Sequence, residues 1–378
     1  MSITNRWIWQ QKSYPNFTYD ESFINPLIQK VTLAQGYLIA FTNILNKENL
    51  KQRQLEVLSS EAINTSAIEG EKLNRDSVRS SVKNKLGLLN KNIQKSDITT
   101  ENLIEILIDA NTNYNKPLKL NRIFGWHNAL FPTGFSNFNK INVATFRGDE
   151  TMEVVSGAIG QEKVRYEAPS KDILEKEMNT FISWFNDTED SLIKAAITHL
   201  WFVIIHPLDD GNGRISRALT DLVLSKIEQS NISKLYTMSS VINDNRKSYY
   251  EILDYTTGFK YRKDNPLDIT KWIEWFLNTL LISLDEAKNS LQYILDKTNF
   301  WDKCRDKELN ARQTKVLNKI LDIGIKNFEG GLTKKKYMAI SKASSTSASR
   351  DLNDLIKKGC ISQVEGTSGR NVRYEIIV

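Results

Sequence analysis

The sequence predicts a mainly α protein with one small β-hairpin and a C-terminal winged helix-turn-helix. Three observations predict it. Apolar residues recur at helical spacing through most of the 378 residues. One segment, 146–168, breaks that rhythm with short β-prone runs around glycines. The last fifth of the chain has its own order of elements and its own charge.

In order, helices are expected over 25–45 and 52–69, the second with Leu55, Leu58 and Ala62 at helical spacing. Gly70 stands where a C-cap glycine is expected. Helical patterns then cover 99–112, 119–130 and 170–186, the last opened by Pro169-Ser170. Between the last two, Val154-Val155 and Val164-Arg165-Tyr166 flank a glycine-bearing turn at 156–160, the pattern of a hairpin. Helices return over 191–205, 214–230, 244–256 and from 268 toward 299. C-terminal helices are expected over 312–323, 333–340 and 348–358, the third opened by the Ser/Thr-rich 344–347 and ended by Gly359. Two strands follow, 360–364 and 372–377, with a glycine-bearing turn at 365–369. Three helices and a hairpin is the order of a winged helix. The domains read as 1–115, 116–302 and 303–378.

Charge supports that last boundary. The formal net charge is +6, and 303–378 alone holds 16 Lys+Arg against 8 Asp+Glu. That excess suggests a separate module with a polyanionic partner. With 40% hydrophobic and 25% charged residues, disorder is excluded as the main state. Cys304 and Cys360 form no C-x-x-C pair and cannot make a disulfide framework. With three histidines, a structural zinc site lacks ligands. A reducing, cytoplasmic compartment is the expectation. The most apolar stretches, 193–205 and 269–284, contain Lys194, His199, Lys271 and Glu274, so they read as buried helices and no membrane partner is expected. Residues 1–11 show no apolar run, and no signal peptide is expected.

The chemistry concentrates in His206-Pro207-Leu208-Asp209-Asp210-Gly211-Asn212-Gly213-Arg214-Ile215-Ser216-Arg217. An apolar helix runs into His-Pro, which ends it. Gly-Asn-Gly can point consecutive backbone N–H groups one way and form an anion nest, to which the next helix adds its free N–H groups. Arg214 and Arg217 lie three apart on one face of that helix. Two guanidiniums over a nest describe a polyphosphate site. An acid of the loop can hold the magnesium ion that accompanies nucleotide phosphates, and the histidine is a natural general base. The plain alternative is a connector between two core helices. Seven chemically meaningful positions in twelve residues weigh against it.

The stretch resembles the signature of the Fic family, His-x-Phe-x-Asp/Glu-Gly-Asn-Gly-Arg-x-x-Arg, departing from it only at Leu208, where an apolar swap preserves packing. The resemblance implies a Fic-type helical core with a hairpin flap. It also implies a protein adenylyltransferase that moves AMP from ATP to a Ser, Thr or Tyr hydroxyl. Carried over by position, His206 would deprotonate the hydroxyl and Asp210 would bind Mg2+. Gly211, Asn212 and Gly213 would hold phosphate oxygens through backbone groups and the Asn amide, and Arg214 and Arg217 would neutralise the β- and γ-phosphates. The 152–157 flap would dock the protein substrate by strand addition. Tyr249 and Tyr250 would form the adenine-side wall, with ordinary helix core as the alternative.

A second feature of the resemblance is Thr65-Ser66-Ala67-Ile68-Glu69-Gly70, which fits the inhibitory pattern Ser/Thr-x-x-x-Glu-Gly/Asn. Glu69 would reach the phosphate site and pair with Arg217, misaligning ATP. Two other readings stay open: a hydrolase that removes AMP using Glu69, and a DNA-binding regulator with a nucleotide-sensing core. For the second, Lys334-Lys335-Lys336, Lys342 and Arg350 would contact phosphates, with a protein partner of the winged helix as the alternative. His127 and His199 read as structural. The target, the oligomeric state and any homodimer are left open.

Overall fold

The computed structural model describes residues 6–88, 97–136, 138–156, 163–229, 235–258 and 265–377. The chain divides into two compact units, Met1–Glu286 and Ala287–Val378. The division falls sixteen residues before the charge boundary at 303, because 287–302 carry two Lys and two Asp and are silent in charge.

The first unit begins with α1 (Glu21–Ile44), capped by Asp20, and α2 (Lys47–Ile68), capped by Asn46. Then come α3 (Arg75–Lys85), α4 (Ile98–Thr112) and α5 (Leu120–Leu130). Helix α3 was not expected: only Val78 and Val82 give it apolar spacing, and both are fully buried. A two-residue hairpin, β1 (Phe135–Ser136) with β2 (Asn139–Lys140), also went unexpected. The anticipated hairpin is β3 (Glu153–Ser156) with antiparallel β4 (Lys163–Glu167), with a register shift between Val154 and Val155. Its turn, including Gly157 and Gly160, lies outside the described residues.

Helices α6 (Lys171–Asp187), α7 (Leu192–Ile205) and α8 (Asn212–Glu228) form the centre. Helix α7 is apolar nearly all round, and residues from Leu192 to Ile205 are buried on every side, as suits a central helix. Helices α9 (Met238–Asp244), α10 (Arg246–Thr257) and the part of α11 (Thr270–Lys303) before 287 complete the set, the short α9 again without a strong sequence pattern. Two anchors hold the flap in place. The Tyr166 hydroxyl donates to the Ile204 carbonyl at 2.6 Å, and the Trp9 indole N–H donates to the Glu167 carbonyl at 2.8 Å.

The second unit contains α12 (Ala311–Ile323), α13 (Lys334–Ser341) and α14 (Ser345–Lys357), then antiparallel β5 (Ile361–Gln363) and β6 (Tyr374–Ile376). Its core gathers Phe300, Val316, Leu317, Tyr337, Leu352, Leu355 and Ile361. Cys304 and Cys360 meet there as free thiols with sulfurs 3.5 Å apart, and burial pushes the Cys360 thiol up to about 11. Among the described residues, no helix is long and apolar enough to cross a membrane.

Candidate active site

The loop between α7 and α8 is shaped by two left-handed residues. His206 ends α7 at φ 49°, and Gly211 opens α8 at φ 81°. A side chain on Gly211 would be strained at that φ, and its Cβ would also press on Leu130 and Phe131 at 3.0–3.1 Å. Leu208 is fully buried, so the apolar swap at this position keeps its packing role. Asp209 ties down the flanking loop by accepting from the Asn142 N–H at 2.6 Å and the Gly148 N–H at 3.0 Å.

One expectation is corrected here. The Asn212 side-chain amide does not face the phosphate site. Its Oδ1 accepts from the Leu208 N–H at 3.1 Å and its Nδ2 donates to the Leu208 carbonyl at 2.8 Å. Both groups are used to close the loop.

His206 donates from Nδ1 to the Val203 carbonyl at 3.2 Å; a carbonyl can only accept, so Nε2 keeps its lone pair. Burial lowers the His206 pKa, with the Val203 hydrogen bond opposing, and the ring is neutral and basic at neutral pH. Arg147 fixes its backbone, with Nε donating to the His206 carbonyl at 2.9 Å and Nη2 to the Pro169 carbonyl. In the sequence, Arg147 stands out only as part of the 146–168 segment. Its burial, at 1% exposure, was the missing signal.

Both motif arginines are occupied. Arg217 donates from Nε to the Thr65 hydroxyl at 2.7 Å, and from Nη2 to the Thr65 carbonyl at 2.9 Å and to Glu69 Oε1 at 2.7 Å. The Glu69 carboxylate lies directly over Gly213, where an added Cβ would overlap it. Arg214 donates from Nη1 to Glu71 Oε2 at 2.7 Å and lies over the Phe131 ring at 5.0 Å. Glu71 was missed, because the inhibitory pattern stops at Gly70. That glycine, at φ 87°, lets the Gly70 N–H reach the Ala67 carbonyl and the Glu71 N–H reach the Ser66 carbonyl. The reversal turns a second carboxylate into the site. Burial raises the Glu71 pKa, Arg214 opposes, and Asp210 and Glu69 add to the rise.

Two cavities border the Glu69 carboxylate. One, of about 560 Å³, is lined by Glu71, Phe131, Ser136, Asp210 and Arg214. The other, of about 720 Å³, is lined by His206, Gly213, Tyr249, Tyr250 and the flap residues Val154 and Val155. Both tyrosines therefore face one cavity, but in different ways. Tyr249 is buried, its hydroxyl 2.9 Å from His199 Nε2, and burial raises its pKa. Tyr250 is half-buried and donates to the Ile68 carbonyl at 3.1 Å.

His199, hydrogen-bonded between Tyr249 and Thr220, is pushed by burial down to about 3. His127 is pushed to about 4, with Asp209 and Asp210 opposing. Among the described residues, no three His, Cys, Asp or Glu converge to cage a metal. Asp210 nevertheless suits Mg2+, which takes one or two carboxylates plus phosphate oxygens. Its two oxygens accept from the Gly211 N–H at 2.5 Å and from the Ser136 hydroxyl, and Asp210 lines the cavity together with Arg214.

A helical core with an anchored hairpin and this loop between its central helices is a Fic-type fold. Residues 117–224 match the Fic/DOC family, and the chain carries a Fic/DOC family domain. Residues 7–88 match a domain of unknown function (DUF4172). Protein adenylyltransferase fic-1 of Caenorhabditis elegans is 33% identical over 66 residues, which is 16% of this chain and 13% of that protein. Protein adenylyltransferase Fic of Nematostella vectensis is 37% identical over 62 residues, 15% of this chain and 14% of that protein. The chain thus spans about an eighth of the length of the curated relatives it matches. The crystal structure of a Fic family protein from Desulfovibrio desulfuricans shares the fold with a TM-score of 0.54 at 19% identity, over 96% of this chain and 98% of that one. A Fic domain containing signaling protein from Bacteroides thetaiotaomicron gives 0.53 at 18% identity, over 70% of this chain and 97% of that one.

Proposed function

We propose that the chain transfers AMP from ATP to a hydroxyl of a protein and that residues 65–71 hold this activity off. The observation that carries the reading is the Glu69 carboxylate, seated over Gly213 and on Arg217. A carboxylate is held here by the donors that would hold a phosphate. The relatives named protein adenylyltransferase support the reading, over the short segments they share.

In the transfer, His206 Nε2 takes the proton of the attacking hydroxyl. The oxygen–Pα bond forms as the Pα–O–Pβ bond breaks, and pyrophosphate leaves with its charge met by Arg214 and Arg217. Magnesium held by Asp210 would add charge neutralisation on the phosphates. The cavity beside Tyr249 and Tyr250 would take the adenine, and the β3 edge would align the target segment.

A second reading has a specific support. Glu69 and His206 border the same cavity, the placement that water activation against an AMP-protein bond requires. One pair of assays decides between them. With ATP labelled at the α-phosphate, Glu69→Gly should label protein faster than the wild type, and His206→Ala in that background should not label it. If the wild type strips label from modified protein and Glu69→Gly does not, Glu69 serves hydrolysis. Equal labelling by the wild type and Glu69→Gly would remove the inhibitory role.

A further inference from the structure

We infer that the second unit carries a DNA-reading surface, with α14 as the helix that enters the major groove. The inference stands on that unit alone and is independent of the nucleotide chemistry of the first.

The first ground is geometry. Helices α13 and α14 are joined by residues 342–344, with Lys342 in the left-handed region at φ 59° and Ser344 capping α14 through the Ser347 N–H. Two helices on a three-residue turn, followed by a hairpin, present the second helix outward. The inner face of α14 is fixed by Ala348, Asp351, Leu352 and Leu355, all buried. Its outer face shows Thr346, Arg350 and Asn353, all exposed, at i, i+4 and i+7. Arg reads guanine and Asn reads adenine through paired hydrogen bonds, and a Thr methyl packs on thymine. A surface made only for solubility has no need of that choice of side chains on one stripe.

Charge is the second ground. Residues 331–358 contain seven Lys+Arg and two Asp. Asp351 is committed to Arg312, outside the segment, at 2.8 Å, and Asp354 pairs with Lys358 at 2.7 Å, which leaves six of the seven cations without an acid of the segment. The outer face therefore carries uncompensated positive charge. Lys334 and Lys335 are exposed at the start of α13, and Lys342 is exposed in the turn. The hairpin adds another cation beside them. Leu332 bridges to Tyr374, and an added Cβ on Gly331 would lie 3.5 Å from the Arg373 Cβ, so exposed Arg373 stands next to the α13 start. Base-reading side chains with exposed cations on the neighbouring elements match a duplex, whose grooves are bordered by phosphates. An acidic protein would fit the cations and leave the Arg-Asn-Thr stripe without a role.

The test uses the full chain and a fluorescent 30-base-pair duplex, titrated by anisotropy at 50 and 200 mM salt. If Lys334, Lys335, Lys342 and Arg373 each meet a phosphate, affinity should fall roughly 150-fold between those two salts. Lys334→Ala and Lys335→Ala should each weaken binding to every duplex alike and lower the salt slope by about one. Arg350→Ala and Asn353→Ala should flatten the preference for duplexes enriched from a randomised pool, by roughly tenfold per lost base contact. These positions are solvent-exposed, and circular dichroism verifies that the variants stay folded. No duplex binding by the wild type at 50 mM salt would overturn the proposal. Binding to polyglutamate but not to duplex would likewise overturn it and assign the face to an acidic protein. Binding that survives Arg350→Ala with its sequence preference intact would also overturn it.

Discussion

Arginines mark both units, and their surroundings differ. Arg214 and Arg217 in the first unit are 3% and 4% exposed at the side chain, and each carries a carboxylate. Arg350 and Arg373 in the second are open to solvent. A buried guanidinium without a partner is costly, whereas an exposed one is satisfied by water. If the first unit binds phosphate as proposed, a site organised in advance by burial calls for something anionic when nucleotide is absent, a need that Glu69 and Glu71 would meet. Exposed cations need no such plug, but salt screens them. On the proposed reading, inhibition in the first unit would follow from how tightly its site is organised. The second unit can wait for its ligand unblocked.

The largest effect expected concerns the base. In the Glu69→Gly background, His206→Ala should lower AMP transfer by about 10²–10⁴-fold, because no other base faces that cavity among its lining residues with a free imidazole nitrogen. ATP affinity, measured by calorimetry, should hardly change, since Arg214, Arg217 and the loop backbone remain. Transfer that persists would show that positioning, not proton removal, limits the site.

All three histidines lie in the first unit, and pH separates the units accordingly. His199 and His127, at about 3 and about 4, stay neutral down to about pH 5, so their ring resonances should not shift in a titration from pH 8 to 5. Their folded pKa values lie below the unfolded one, so protonation favours the unfolded chain. Each contribution is present above about pH 6.5 and is lost as pH falls, by about 1.4 kcal/mol per pH unit until the folded value is reached. Asp221, its carboxyl pushed well up by burial near Glu61 and Glu228, acts in the opposite direction. In the second unit, Asp351 and Asp354 are held low by hydrogen bonds from Arg312 and Gln313. Their contribution is lost only as pH falls below the usual carboxylate range. A resonance near pH 6.5 from either buried histidine would refute the packing described for it.

Much of this contrast was legible in the sequence. Long helices with regular apolar spacing, such as α2 and α7, announced themselves, and so did the dense loop at 206–217. Features set by tertiary structure did not. Helix α3 has two apolar side chains on its buried face, too few for periodicity to register. The Asn212 amide could be assigned to phosphate or to backbone from sequence, and only the loop's closure decides between them. Glu71 reads as a solvated residue after a helix until the positive φ of Gly70 reverses the chain.

The two plugs should differ in strength. Glu69→Gly frees Arg217 and clears Gly213, so transfer should rise about tenfold or more, the factor that about 1.4 kcal/mol represents. Glu69→Gln keeps the shape without the charge and should fall between the wild type and Glu69→Gly. Glu71→Gln in the Glu69→Gly background should tighten ATP by roughly threefold more, since its ion pair with Arg214 is partly exposed and worth about 0.7 kcal/mol. No change in ATP affinity would mean that Glu71 moves aside without resistance.

The smallest effect tests what holds the plug rather than the plug itself. The Tyr250 hydroxyl donates to the Ile68 carbonyl in the last turn of α2, one residue before Glu69. Tyr250→Phe removes that bond and leaves the ring in the cavity. The hydroxyl is half-exposed, so water replaces part of the interaction and the loss should be about 0.5 kcal/mol. Glu69, Gly70 and Glu71 amides, which bond back to Ser66 and Ala67, should then exchange roughly twofold faster. Basal AMP transfer should rise by a similar factor, well short of Glu69→Gly. The order of the two variants is the informative result. If Tyr250→Phe releases the activity as fully as Glu69→Gly, the tether governs the block and the Glu69–Arg217 pair merely rides on it. If exchange quickens while transfer stays flat, the ion pair holds the plug without help from α10.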